Sequence, residues 1–210
     1  MLEFRAVHKS FGGSPILSID GQVFDDGIYW LQGANGAGKT TLLRMIAGIV
    51  PFKGDILVKG ISQREAPVDY RRLVGWADAE PLYPGFLTGD DLLTFYRGIL
   101  RPDPRQVDDL LLRLGVRGWL KTRLGTWSSG MTKKLALLLA FLSRPAWTLL
   151  DEPFITLDDG GMAALIALIR EYHRDYGTAF LLSSHQPLPE DLLSESRRLS
   201  LEDRVIKLIV

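Results

Sequence analysis

The sequence predicts an α/β domain, a parallel-type sheet core interrupted by a helical insertion. Three features point to it. Short apolar runs closed by glycine or proline lie toward both ends of the chain and read as strands. From about Asp90 to Leu142 the apolar residues instead recur at helical spacing. The length of 210 residues suits one α/β domain or one domain with an insertion, and 46% hydrophobic residues can fill its core.

Each element follows from its local pattern. Leu2 to His8 alternates and predicts a strand, and Gly27 to Leu31 is a short apolar run stopped by glycine that predicts another. Thr40 to Ile49 predicts a helix ending near Gly48, with Pro51 beyond it. Gly54 to Gly60 predicts a strand between glycines, and a further strand is expected near Val74 to Trp76. Three helical stretches come next, DLLTFYRGIL, QVDDLLLRLGV and KKLALLLAFL, separated by turn signals at Pro102, Pro104, Gly115 and Gly125. After Pro145 the strand signal returns in Trp147 to Leu150. A helix over Met162 to Tyr176 precedes a strand over Ala179 to Ser183, and the terminal RRLSLEDRVIKLIV reads as a hairpin.

Composition narrows the function. Lys plus Arg and Asp plus Glu each number 25, so the formal net charge is zero, which argues against nucleic acid as the partner. The chain has no cysteine, which excludes disulfides, thiolate catalysis and zinc-thiolate sites and points to a cytosolic protein. The opening MLEFRAVHKSF has no apolar stretch of signal-peptide length. The longest unbroken apolar run, Leu135 to Leu142, falls far short of the ~20 residues that span a bilayer. The expectation is a chain that does not cross a membrane by itself.

The first motif is Gly33-Ala34-Asn35-Gly36-Ala37-Gly38-Lys39-Thr40, which fits G-x-x-x-x-G-K-[ST] between a strand and a helix. Glycines there let backbone N–H groups turn inward around phosphate oxygens, and the helix N-terminus adds its positive dipole end. Lys39 is expected on a solvent-facing loop, with its charge on the β and γ phosphates, and the Thr40 hydroxyl is expected on Mg²⁺. The second is Asp151-Glu152 at the end of an apolar strand, where Asp151 suits a metal ion and Glu152 a general base for an attacking water. The third is WSSGMTKK, Trp127 to Lys134, ahead of an apolar helical run. Its Ser128 turn reads both as an ordinary N-cap and as an anion-holding helix N-terminus.

In this order, and over nearly the whole chain, the motifs resemble the nucleotide-binding subunits of ATP-binding cassette (ABC) transporters. The resemblance implies a P-loop NTPase (RecA-like) core with an N-terminal antiparallel β subdomain over residues 1–77 and 144–210, and a helical signature subdomain over 78–143. It implies ATP and Mg²⁺. Phe11 falls where the family places an aromatic residue against adenine, and Gly33 to Thr41, Thr41 included, matches its phosphate loop. Asp151-Glu152-Pro153 matches the metal and base motif, Leu157-Asp158 the loop that meets the opposing subunit, and His185 the switch histidine. Ser128, Ser129 and Gly130 fall at the signature, which in this family binds the γ-phosphate of ATP held by the other subunit.

Two departures stand out. The signature reads W-S-S-G-M in place of L-S-G-G-Q, and a Gly-Met signature followed by Lys133 and Lys134 resembles exporter-type cassettes. The glutamine usual after the strand near Val74 to Trp76 is missing. Asp78, Ala79 or Glu80 takes its place, and Glu80 is favoured as the residue near the metal or water. Within the family, DEPF, the His-Gln-Pro after the switch and the terminal RRLSL resemble the haem-exporter ATPases of cytochrome c maturation, although the two departures do not help that match. The resemblance implies a transmembrane permease partner, a homodimer or a dimer with a related ATPase subunit, and a place on the cytoplasmic face of the membrane. A soluble cassette ATPase without a transport role is the alternative; such relatives tend to carry tandem cassettes, long coiled coils or basic extensions, and this sequence shows none of them. A silent nucleotide-binding module is opposed by Lys39, Glu152 and His185. His8 and His173 carry no partner signal, and Arg71-Arg72 and Arg197-Arg198 read as solvated charges.

Overall fold

A computed structural model describes residues 1–209. The chain opens with β1 (Leu2–Phe11), β2 (Ser14–Ile19), β3 (Val23–Phe24) and β4 (Ile28–Gln32), and then α1 (Lys39–Ile46). β5 (Lys53–Val58), β6 (Ile61–Ser62), α2 (Pro67–Arg72) and β7 (Val74–Ala77) follow. The helical stretch holds α3 (Gly89–Leu100), α4 (Pro104–Arg113) and α5 (Ser129–Phe141), with short 3₁₀ turns between the last two. β8 (Trp147–Asp151), α6 (Asp159–Tyr176), β9 (Ala179–Ser183), α7 (Glu190–Leu193), β10 (Ser196–Glu202) and β11 (Val205–Ile209) complete it.

Among the described residues the strands make two sheets. One is antiparallel, in the order β2-β1-β5-β6 with β3 also on β1, and the other runs β11-β10-β4-β9-β8-β7. In the second sheet β10, β4, β9, β8 and β7 are parallel, and β11 closes the edge antiparallel to β10. The runs IYWL, WTLL and AFLL show no polar alternation because this sheet is covered on both faces. Side chains alternate across a strand. Tyr29, Leu31, Leu149 and Leu181 therefore pack on one face with α1 and the antiparallel sheet. Ile28, Trp30, Leu150, Phe180 and Leu182 pack on the other face with the helices.

Helix starts follow local chemistry. Thr88 and Asp91 form a reciprocal capping box at α3, and Asp103 caps α4 ahead of Pro104. Ser128 Oγ accepts from the Met131 N–H at 3.2 Å and caps α5, whose side chains from Leu135 to Phe141 are all buried. No helix among the described residues is long and apolar enough to cross a membrane.

Several elements lack a signal in the residue pattern: β2, β3, β6, α2 and α7. β3, β6 and α7 are two to four residues long, and β2 takes its conformation from pairing with β1. The two histidines without a partner signal lie at the surface (His8) and at the core edge (His173), each with one polar neighbour. His8 Nδ1 lies 3.1 Å from the Ser18 hydroxyl, and His173 Nδ1 lies 2.9 Å from the Thr178 carbonyl oxygen.

Candidate functional site

A cleft of about 410 Å³ gathers residues from three parts of the chain. Asn35, Gly36, Gly38, Lys39, Thr40 and Thr41 come from the loop and helix after β4. Phe11 and Ile16 come from the β1–β2 hairpin, and Asp151 and Glu152 from the end of β8. The loop reaches this shape because Gly38 has φ 102°, and a Cβ there would lie 3.2 Å from Ile16 Cγ2. No side chain caps α1, so its first N–H groups are left for an anion.

Lys39 departs from the expectation of a solvent-facing loop. It is the first residue of α1, only 9% exposed, and its Nζ donates to the carbonyls of Gly33 at 2.7 Å and Ala34 at 3.2 Å. The lysine thus closes its own loop while its ammonium stays in the cleft lining.

The carboxylates are held differently. Asp151 is buried, its Oδ1 accepting from the Ser183 hydroxyl on the neighbouring strand. Its Oδ2 is buried without a partner among the described residues. Such an oxygen, in a cleft that Thr40 also lines, is the donor type that Mg²⁺ takes alongside waters and phosphate oxygens. No cluster of three or more His, Cys, Asp or Glu side chains fit for a metal occurs among the described residues. Any ion here would therefore draw most of its ligands from the substrate and water. Glu152 sits at φ 44°, a left-handed backbone that costs about 1–3 kcal/mol and persists where its surroundings impose it. Its N–H donates to the Ser183 carbonyl at 3.1 Å. Its Oε1 accepts from the His185 backbone N–H at 3.1 Å and lies 2.9 Å from His185 Nδ1.

The remaining candidates divide. Phe11 is exposed, with the Lys9 ammonium 4.4 Å from its ring centre. Ser128, Ser129 and Gly130 lie at the start of α5 and outside this cleft. A Cβ on Gly130 would fall 2.7 Å from the Thr156 carbonyl oxygen, so the turn is pressed against the loop before α6. Asp158 in that loop caps α6 through the Gly161 N–H at 3.0 Å and pairs with Lys134 at 2.8 Å. The Lys134 hydrogen bond, with the Gly161 N–H, holds its carboxyl below the usual range. Glu80 is exposed and does not reach the cleft. The turn after β7 directs it outward, while the neighbouring Asp78 carboxylate takes Arg44 Nη2 at 2.9 and 3.2 Å.

Ile16, Ser183 and Arg44 escape sequence reasoning, and so does the buried setting of Lys133. Ser183 had a usable signal, the polar end of an apolar run matching Asp151 in register. Lys133 is fully buried, and its Nζ donates to the carbonyls of Asp78, Ala79 and Asp151. Burial pushes its ammonium down to about 8, against the opposing pull of Asp151, Asp78 and Glu152. A wider depression of about 730 Å³ lies on the β1–β2–β5 side, with His8, Lys9, Lys53 and Arg204 in its lining. It contains neither the phosphate loop nor a carboxylate, so the narrower cleft is the candidate.

Residues 17–155 match the ABC transporter family. The chain is 32% identical over 192 residues to the Cytochrome c biogenesis ATP-binding export protein CcmA 2 of Salmonella paratyphi A, covering 90% of this chain and 91% of that protein. It is 35% identical over 167 residues to the protein CcmA of the same description from Sodalis glossinidius, covering 78% of each. A solved ATP-binding subunit of an ABC transporter superposes with a TM-score of 0.87 at 25% identity, covering 99% of this chain and 88% of that one.

Proposed function

We propose, because the chain belongs to the ABC transporter family, that it drives export through a membrane-embedded partner by hydrolysing ATP at sites shared between two subunits. It is an ATPase subunit of a transporter. Export is supported by its relatives, which are cytochrome c biogenesis ATP-binding export proteins, and a haem-exporter-like role follows from that likeness. The observation that carries the chemistry is the convergence of the phosphate loop, Asp151 and Glu152 on one cleft, with His185 on Glu152.

The residues take the following roles in this reading. The N–H groups at the start of α1 and the Lys39 ammonium bind the phosphates and stabilise charge that develops on them. Phe11 offers its exposed ring to the adenine. Asp151 and Thr40 would hold Mg²⁺, which when bound neutralises charge on the phosphate oxygens. Glu152 takes a proton from water as the water oxygen bonds to the γ-phosphorus. The bond from that phosphorus to the β–γ bridging oxygen breaks, and its electron pair leaves with ADP. His185 holds the Glu152 carboxylate in place. The Ser128–Gly130 turn, which does not line its own cleft, serves the ATP of a second subunit.

A membrane partner needs a docking surface, and the helical insertion offers one. Leu82, Phe86, Phe95 and Ile99 are 93%, 75%, 62% and 53% exposed within one short stretch. Tagging the chain in its native host and identifying the membrane protein retained with it tests this; recovery of the chain without any membrane protein counts against it. Glu152→Gln tests the chemistry. It should bind ATP, accumulate as a nucleotide-bound dimer on a sizing column, and hydrolyse ~10²-fold more slowly or worse. Normal hydrolysis by a monomer would remove Glu152 as the base.

A further inference from the structure

Lys133 lies in the second turn of α5 with no solvent exposure. Its Nζ donates to three backbone carbonyls, those of Asp78 at 2.8 Å, Ala79 at 3.2 Å and Asp151 at 2.8 Å. Packing alone does not explain such a residue, since a buried charge is costly and an apolar side chain of similar volume would fill the same space. What distinguishes the lysine is what it joins. Asp78 and Ala79 are the root of the helical insertion, directly after β7, and the Asp78 carboxylate is also held by Arg44 from α1. Asp151 ends β8 immediately before Glu152.

The peptide unit between Asp151 and Glu152 is therefore gripped from both sides. Lys133 holds its carbonyl at 2.8 Å, and the Ser183 carbonyl accepts its N–H at 3.1 Å. This is the peptide that enters the left-handed turn at Glu152, φ 44°, and so sets where the Glu152 carboxylate points. We infer that Lys133 is a positioning residue for hydrolysis, locking the Asp151–Glu152 peptide to the root of the helical insertion. A displacement of the insertion, whose exposed apolar side chains begin at Leu82, is then felt at the base. The inference builds on the reading above, in which Glu152 takes the proton from water.

Lys133→Met in the full chain keeps the length of the side chain and removes every donor. Its kcat should fall roughly tenfold or more while KM for ATP stays within about twofold, because the misplaced group is the base rather than the phosphate loop. Lys133→Gln, which keeps two N–H donors, should recover part of the loss. Leu138→Ala, a buried change in the same helix with no polar link, should lower Tm and leave kcat near the wild-type value. Wild-type kcat in Lys133→Met overturns the inference. A kcat loss equal to that of Leu138→Ala, or a loss carried mainly by KM, also overturns it. Should the methionine variant not fold, Lys133→Gln decides: a kcat roughly threefold or more below wild type at unchanged KM supports the role, and wild-type kcat overturns it. Hydrolysis by the unaltered chain and its loss in Glu152→Gln are measured alongside. Failure of those two would strike the assignment of Glu152, separately from that of Lys133.

Discussion

Glu152 and His185 stand 33 positions apart in the chain, yet Glu152 Oε1 lies 2.9 Å from His185 Nδ1. The contact follows from sheet register: Asp151 pairs with Ser183 across β8 and β9, so the residues just beyond both strands leave the sheet together. The His185 side chain is 43% exposed. His185→Ala should therefore lower kcat roughly tenfold or more, leave ATP affinity near wild type, and shift stability by no more than about 0.5 kcal/mol. Steady-state turnover and equilibrium binding measured on one preparation check this, and equal losses in both would make the histidine structural. The phosphate loop and the Asp-Glu pair were legible because each is a contiguous pattern with its own chemistry. The environment of Lys39 was not, because its burial depends on carbonyls that only the folded loop presents. Lys133 read only as one of two basic residues after the signature, because the three distant carbonyls that define it are brought to it by the fold.

Among the elements, the long helices were legible and the short paired pieces were not. α3, α4, α5 and α6 each carry many apolar positions at helical spacing, and their caps are local. β3 and β6, two residues each, exist only through their partners. The capping box of α3 gives a pH test. The backbone N–H and the hydroxyl of Thr88 donate to Asp91 and hold its carboxyl below the ordinary value of 3.8. A carboxyl lowered in the folded state adds stability that is present above its unfolded value and lost as pH falls through the folded one. The gap in denaturation midpoint between wild type and Asp91→Ala should therefore be full at pH 7 and shrink below about pH 4. A gap that stays constant down to pH 2 would show that Asp91 acts by something other than its charge.

Across the whole molecule, the parallel sheet has two coats of different kinds. α1 and the antiparallel sheet cover one face, and the helical stretch together with α6 covers the other. The short apolar runs announced a parallel-type sheet core. They did not announce that one cover would itself be a sheet, because pairing such as β1 with β5 joins residues about fifty positions apart. The signature turn is docked on the loop before α6 through Gly130 and through the Lys134–Asp158 pair, outside the cleft of its own chain. A second subunit would complete the site, and complementation tests this. Lys39→Ala and Ser128→Arg should each be inactive alone. A mixed dimer with shared sites has one doubly defective site and one intact site, so mixing should restore part of the turnover. ATP-dependent dimerisation of the mixture, followed by light scattering, is measured with it. Dimers that form and hydrolyse nothing would count against independently working shared sites.

The left-handed backbone at Glu152 has a consequence for the history of such a chain. The position asks for a residue that tolerates φ 44°, and glycine or asparagine would meet that demand with less strain. Neither can take a proton from water. Selection for heat resistance alone should push this position away from glutamate, while selection for growth that depends on transport should hold it there. The residue is thus a place where the demands of folding and of livelihood would diverge.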